Sequence, residues 1–247
     1  MSYRYNILIE YDGTHFIGWQ TQPKGRSVQK IVQKTLSKLL GEKITLIGSS
    51  RTDSGVHASE QSAHFDTNFQ INNLIRFTKS LNFFLNKKLV SVISLKKKNK
   101  NFHARFSAKK RIYKYVILNR LSPPSIDKNR VWHIIKKIDI KLIKKGARKL
   151  VGTHDFSTFR ASNCSAKSPI RTIDNIRVDK KKNIIIIYFK SQSFLQQQVR
   201  SMVGCLKYLG EKKWDLEKFK KVLNSKDRSC CAPPAPAKGL FLEKVIY

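Results

Sequence analysis

Gly48-Ser49-Ser50-Arg51-Thr52-Asp53-Ser54-Gly55-Val56-His57-Ala58 lies between a short apolar run, Ile44 to Ile47, and an alternating run, Gln61 to Asp66. The two runs read as strands and the segment between them as a polar loop. That loop sets one carboxylate two residues from a guanidinium inside a Gly/Ser-rich turn. Two readings stay open on spacing alone. Thr-Asp-Ser-Gly is a good turn sequence, with Asp accepting local backbone N–H groups. Alternatively, an acid offered on an otherwise basic surface costs affinity for any polyanion, and such a cost suggests a chemical task.

Outward from the loop, the pattern mixes strands and helices. Tyr3 to Tyr11 alternates apolar and polar residues and reads as a strand, with Asp12-Gly13 as its turn. Ser27 opens an amphipathic helix carrying Val28, Ile31, Val32, Thr35, Leu36, Leu39 and Leu40, and Gly41 ends it. Leu89 to Leu95 and Arg111 to Leu118 are strands, separated by a lysine-rich loop over Lys96 to Lys100. Leu121-Ser122-Pro123-Pro124 reads as a linker, dividing the chain into 1–120 and 121–247. The second part adds a helix from Ile140 to Val151 stopped at Gly152, strands at Ile173 to Val178 and Ile184 to Phe189, helices at Phe194 to Leu209 and Leu216 to Leu223, and a closing strand at Leu240 to Ile246. No regular β-α-β-α beat emerges, which predicts an α+β fold. Each half holds sheet and helices, yet no residue-level repeat is visible.

The 247 residues carry 50 Lys+Arg against 16 Asp+Glu, a net charge of +34. At 40% hydrophobic residues the chain can build a core, so it is not a disordered basic tail. The charge favours a nucleic-acid partner through counterion release. With 36 Lys but only 14 Arg, part of it fits compositional drift. No apolar run approaches the roughly 20 residues of a membrane span, and MSYRYNILIEYDG lacks a secretory pattern. We therefore expect a cytoplasmic protein without a membrane partner. Cys164, Cys205, Cys230 and Cys231 form no C-x-x-C pair, so reduced thiols and no bound metal are expected. No phosphate-binding glycine loop or dinucleotide fingerprint is present, so nothing in the residues points to a cofactor.

The loop Arg51-Thr52-Asp53-Ser54-Gly55-Val56-His57-Ala58 resembles the G-R-T-D-A-G-V-H-A signature of the tRNA pseudouridine synthase A (TruA) family. Further matches run in order along the chain. Glu10-Tyr11-Asp12-Gly13 with Gly18-Trp19-Gln20 resembles E-Y-D-G…G-W-Q, and Ser27-Val28-Gln29 the start of the family's first helix. Phe102 to Ala108 matches F-H-A-R-F-S-A, and Arg111 to Tyr115 matches R-x-Y-x-Y. Gly152 to Phe156 with Phe159-Arg160 matches G-x-H-D-F…F-R. Phe194-Leu195, Val199-Arg200 and Val203-Gly204 match F-L…V-R…V-G, and Ala232-Pro233-Pro234 with Lys238-Gly239-Leu240 matches A-P…G-L. Ser50 and Ser54 replace the usual Gly and Ala. Gln196-Gln197-Gln198 stands where His-His-Met is common.

The resemblance implies two related lobes of antiparallel or mixed sheet with packed helices around a basic cleft. It implies a homodimer that takes the tRNA anticodon arm across both subunits and converts uridines 38, 39 and 40 to pseudouridine. Asp53 is then the nucleophile, Arg51 the base-flipping residue, Arg200 the partner of the Asp53 carboxylate, Tyr113 the stacking partner of the flipped uracil, and Leu240 part of the apolar wall. By their residue types alone, Arg200 reads as an exposed helix arginine, and Tyr113 and Tyr115, on one strand face, as core. His57 and His103 are expected to satisfy local hydrogen bonds or touch RNA backbone, Asp12 to serve its turn, and Asp155 to be structural. The competing classes are a non-catalytic tRNA-binding protein and a glycosidase acting on free nucleosides; the scarcity of acids argues against the second.

Overall fold

The computed structural model describes residues 2–247. Among them, ten strands and five α-helices fall into two compact units, the chain up to Lys109 together with Phe241–Tyr247, and Lys110–Leu240. The units therefore change over before the Leu121–Pro124 segment, and the last strand returns to the first unit.

In the first unit the strands follow the order β4 (Val90–Lys98), β1 (Tyr3–Tyr11), β3 (His57–Thr67), β10 (Leu240–Ile246). β1 pairs antiparallel with both β3 and β4, whereas β10 runs parallel to β3 with Phe241 opposite His57. Tyr5, Ile7, Ile9 and Tyr11 are buried, while Glu10 is exposed, as the alternation predicts. Helix α1 (Val28–Leu40) begins at the Ser27 N-cap, whose side chain accepts the Lys30 N–H, and ends at Gly41 with φ +70°. It buries Val28, Val32 and Leu36 completely, each worth about 1.5–3 kcal/mol against exposure. Helix α2 (Leu74–Leu85), N-capped by Asn73, has no counterpart in the sequence reading.

Two other elements differ from expectation in this unit. Of the run Ile44 to Ile47, only Ile47 is in a strand, β2 (Ile47–Gly48). The preceding backbone is claimed by helix side chains: the Ile44 N–H donates to Ser37 Oγ, the Leu46 N–H to Gln33 Oε1, and Gln29 Nε2 donates to the Leu46 carbonyl. Ile44 and Leu46 are buried anchors for α1 rather than ladder residues. The lysine run is also not all loop. Lys96, Lys97 and Lys98 finish β4 opposite Asn6, Tyr5 and Arg4. β4 ends the strand order, and exposed lysines there suit a strand edge that must not pair further.

The second unit holds the strand order β5 (Lys110–Asn119), β9 (Ile184–Ser191), β8 (Ile170–Lys181), β7 (Gly152–Asp155), antiparallel throughout, with β6 (Trp132–Ile134) parallel to β5. Helix α3 (Ile140–Leu150) packs on β8, and α4 (Gln198–Gly210) and α5 (Leu216–Asn224) pack on α3. A Cβ on Gly146 of α3 would lie 2.5 Å from Leu209 of α4, so these two helices approach closely because the position is glycine. α4 starts four residues later than its apolar spacing suggests. Gln197 adopts φ +61°, and the buried Gln198 accepts the Leu195 N–H through its side chain, so the chain from Phe194 turns before the helix begins. The fold is thus α+β with mixed sheet pairing, as the sequence predicts.

His64 of β3 is 1% exposed, and its Nδ1 accepts the Ala104 N–H at 3.1 Å. Burial first, then the charges of Arg4 and His103, push its pKa down to about 4. The folded protein therefore holds this ring neutral over a range where an unfolded histidine, near 6.5, takes up a proton. We expect the urea-unfolding midpoint to fall as pH drops from about 6.5 toward 4, and His64→Gln to remove part of that slope.

Candidate functional site

The loop from Gly48 to Ala58 leaves β2 and enters β3, and it is tied down from both sides. At its start, the Ser49 N–H donates to the Ser62 carbonyl at 2.7 Å and the Ser49 hydroxyl to Gln61 Oε1 at 2.9 Å, while Gln61 Nε2 donates to the Ser50 carbonyl at 2.8 Å. In its middle, the Thr52 carbonyl accepts the Trp19 N–H at 3.2 Å, and the Thr52 hydroxyl meets the Tyr11 hydroxyl at 2.8 Å. Beyond Asp53, the Ser54 hydroxyl and the Gly55 N–H both donate to the Phe16 carbonyl, each at 3.2 Å, and the Val56 N–H closes a turn on the Asp53 carbonyl. Thr52, Val56 and His57 are buried, Asp53 is partly exposed, and Arg51 is exposed. The Arg51 and Asp53 side chains are thus carried on a fastened backbone.

Two glycines explain how the Glu10-to-Gln20 segment fits against the loop. A Cβ on Gly13 would lie 2.1 Å from the Val56 carbonyl oxygen. A Cβ on Gly18 would lie 2.4 Å from the Thr52 oxygen, and its φ of +113° is one that side-chain-bearing residues rarely adopt. Of the two departures from the family signature, Ser54 adds a hydroxyl donor to the Phe16 carbonyl, and the bond Ser50 makes to Gln61 uses its backbone carbonyl, which glycine would also supply.

The neighbouring polar residues serve this fastening. His57 is 2% exposed, stacks on Phe241 with centroids 4.6 Å apart, and accepts the Gly13 N–H on Nδ1 at 3.0 Å. Asp12 Oδ1 lies 3.3 Å from the same nitrogen and accepts from the Thr14 N–H and hydroxyl, so Asp12 is the turn residue expected of it. His103 likewise accepts the N–H groups of Arg105 and Phe106. Asp155 accepts the Ser157 N–H at 2.9 Å.

In the second unit, Arg200 lies in the first turn of α4. Its Nε donates to the Ala235 carbonyl at 2.8 Å, and the Ala235 N–H returns a bond to the Arg200 carbonyl at 2.9 Å. It is therefore not the plain exposed helix arginine that residue type alone suggested. The next carbonyl, Pro236, accepts the Tyr115 hydroxyl at 2.7 Å. Tyr115 is fully buried, and burial holds its hydroxyl well above the usual tyrosine range, so it is a donor at neutral pH. A Cβ on Gly204 would come within 2.2 Å of the Pro233 carbonyl oxygen, and one on Gly239 within 2.7 Å of the Tyr115 ring. The proline-rich segment is thereby pressed between α4 and β5. Tyr113, two residues before Tyr115 on the same face, is 8% exposed and meets Phe194 edge-on at 5.3 Å. Leu240 is buried directly after Gly239.

The sequence reading missed Tyr11, Thr52 and Gln61 as supports of the loop, and Tyr115 as the anchor of Pro236. Tyr11 and Tyr115 were visible only as apolar positions of strands, and nothing in the spacing shows where their hydroxyls end. Among the described residues, no group of three His, Cys, Asp or Glu could hold a metal ion, and no helix is long and apolar enough to cross a membrane.

The profile of a family described as tRNA pseudouridine synthase matches residues 7–107 and 147–247. The chain belongs to this family. A protein named tRNA pseudouridine synthase A from Pelagibacter ubique (strain HTCC1062) is 64% identical over 245 residues, covering 99% of this chain and 100% of the relative. Proteins of the same name from Paramagnetospirillum magneticum and Parvibaculum lavamentivorans are 46% and 41% identical, each over 99% of this chain and over 95% and 99% of their own lengths. Both matched stretches contain the segments described above, the Asp53 loop in one and the Arg200 helix with the proline-rich segment in the other.

Gly13→Ala tests the fastening. We expect the added methyl to force the Val56 backbone away and to cost about 1–3 kcal/mol of stability by urea titration. A variant as stable as the parent would show that the loop tolerates displacement.

Proposed function

We propose that the chain is an isomerase that converts uridine to pseudouridine in the anticodon arm of tRNA, at positions 38, 39 and 40. Membership of the family over nearly the whole chain supports the reaction class. The observation that carries the site assignment is the fastened loop presenting Arg51 and Asp53. A net charge of +34 supports an RNA substrate.

In this reaction the N1–C1′ glycosidic bond breaks, the uracil rotates, C5 bonds to C1′, and the C5 proton leaves while N1 gains one. No atom is gained or lost overall, so the chemistry balances without a redox partner. Asp53 is the nucleophile: attacking C1′ of the ribose, it is displaced as C5 bonds to C1′; attacking the uracil ring, it leaves by elimination after that bond has formed. A carboxylate suits both routes, because it can stabilise or bond to an electron-poor carbon. Arg200 is the proposed partner that orients the Asp53 carboxylate. Its tether to Ala235 supports this role by limiting where the guanidinium can point.

A stacked uridine must leave its helix to react, at a cost of a few kcal/mol. We assign Arg51 to this step, gripping the flanking backbone or filling the vacated space; its exposure on a fixed loop suits the task. Tyr113 is the stacking partner for the extruded uracil, a contact worth about 1–3 kcal/mol, and Leu240 belongs to the apolar wall. We further propose a homodimer with the anticodon arm spanning both subunits, working in the cytoplasm.

The reading is tested by incubating the protein with unmodified tRNA and mapping pseudouridine chemically. Product at 38–40 is expected; binding without product would leave a non-catalytic tRNA-binding protein. We also expect Arg51→Ala to lower kcat more than it weakens tRNA affinity. An equal loss in both would reduce Arg51 to a phosphate clamp.

A further inference from the structure

A concavity lies in the second unit. It has a volume of about 370 Å³ and is lined by two stretches of chain, Ser157 with Arg160, Ala161 and Ser162, and Lys226, Asp227 and Arg228. Three of these seven residues are cations. The stretches are cross-linked: the Thr158 hydroxyl meets the Ser225 hydroxyl at 3.2 Å, and Arg228 donates to the Thr158 carbonyl at 3.4 Å and to the Ser201 hydroxyl at 3.1 Å. Arg228 is thus held from behind rather than waving in solvent. The one acid is occupied locally, since the Asp227 carboxylate accepts the Ser229 N–H at 2.8 Å and the Ser229 hydroxyl at 2.6 Å. No carboxylate in the lining pairs with Arg160 or Lys226.

Neighbouring groups register this positive field. The Asp155 carboxyl is held below its usual range, chiefly by the Ser157 hydrogen bond and also by the charges of Lys226 and Arg160. The Cys231 thiol is lowered, chiefly by its hydrogen bond with Cys205 and also by Arg228. Three cations thus stand beside the Ser162 hydroxyl in a recess whose one lining acid, Asp227, is engaged by Ser229. Converging charge and hydroxyl donors suit a tetrahedral oxyanion.

We propose that Arg160, Lys226 and Arg228, with Ser162, form a binding site for one backbone phosphate of the substrate RNA. This rests on the proposed tRNA-modifying function and adds to it a contact outside the reacting centre. A phosphodiester is favoured over a small free anion because the recess is open at the exposed Ser162 and Lys226, where a continuing polynucleotide can pass. The site carries no base information; it fixes position.

The test is the salt dependence of tRNA affinity for the Arg160→Gln/Lys226→Gln double variant against the parent. Lys180→Gln/Lys181→Gln, at the exposed end of β8, removes the same two charges and controls for loss of charge alone. Losing one phosphate contact should reduce the magnitude of the log Kd against log salt slope by about 0.7–0.9 and weaken binding several-fold at low salt. The control should leave the slope as it is, and Arg160→Lys/Lys226→Arg should restore it. An unchanged slope in the double variant, or an equal change in the control, overturns the proposal. So does restoration failing while the fold, by circular dichroism, is intact. Equilibrium dialysis of inorganic phosphate separates the sources. Tight retention of phosphate that the double variant loses, with the tRNA slope unaltered, would mean a small-anion site instead. Failure here is distinct from failure of the enzyme reading, because the parent's pseudouridine product is scored separately.

Discussion

Gly13 and Gly18 let one segment of backbone come into contact with another, and the candidate active loop depends on that approach. Without side chains at these positions, Val56 and Thr52 can sit within van der Waals reach of the turn after β1. The Trp19, Phe16 and Tyr11 bonds to the loop then become geometrically possible. The result is a loop held between β2 and β3 by backbone bonds at Ser49, Thr52, Gly55 and Val56. Functional groups are commonly carried on loops held by a rigid scaffold, and here the scaffold consists mostly of backbone carbonyls and buried hydroxyls. In a strongly cationic chain, a carboxylate on such a loop stays where it is put, so its electrostatic cost to RNA binding is confined to one point.

The second unit uses the same device. Successive carbonyls of a proline-rich segment, at Ala235 and Pro236, are taken by Arg200 and Tyr115. Proline cannot donate its own N–H, so this segment cannot join a ladder as a central strand would. Its carbonyls are available to side chains instead. An arginine that spends Nε on a carbonyl keeps the remaining guanidinium edge in a limited set of orientations. The buried Tyr115 hydroxyl, which burial keeps protonated, makes that arrangement insensitive to ordinary changes of pH.

Much of the fold was legible because its signals are local. β1, α1 and β10 have the bounds their periodicity and caps predict, since Ser27 and Gly41 mark helix ends by backbone chemistry alone. Two of the failures share a cause, in that a side chain competes for backbone groups. Ile44 to Leu46 lost its strand to Ser37, Gln33 and Gln29, and the start of α4 was displaced by the Gln198 side chain on Leu195. Helix α2 escaped because its exposed face carries Ile75 and Phe83, which blur the amphipathic pattern. At the site, Arg51 and Asp53 were readable as an odd charge pair in a turn, and family resemblance gave them roles. The supports were not readable, because Tyr11 looks like any core residue until its hydroxyl is seen on Thr52.

The account stands on the Asp53 carboxylate as the group that bonds to the substrate. Asp53→Asn keeps the side chain's shape while removing its charge and nucleophilicity, so the fold and the tRNA affinity should persist. With tRNA tritiated at uracil C5, the parent should release label as pseudouridine forms, and the variant should release none above background. Label release from the variant at a rate near that of the parent would contradict the account.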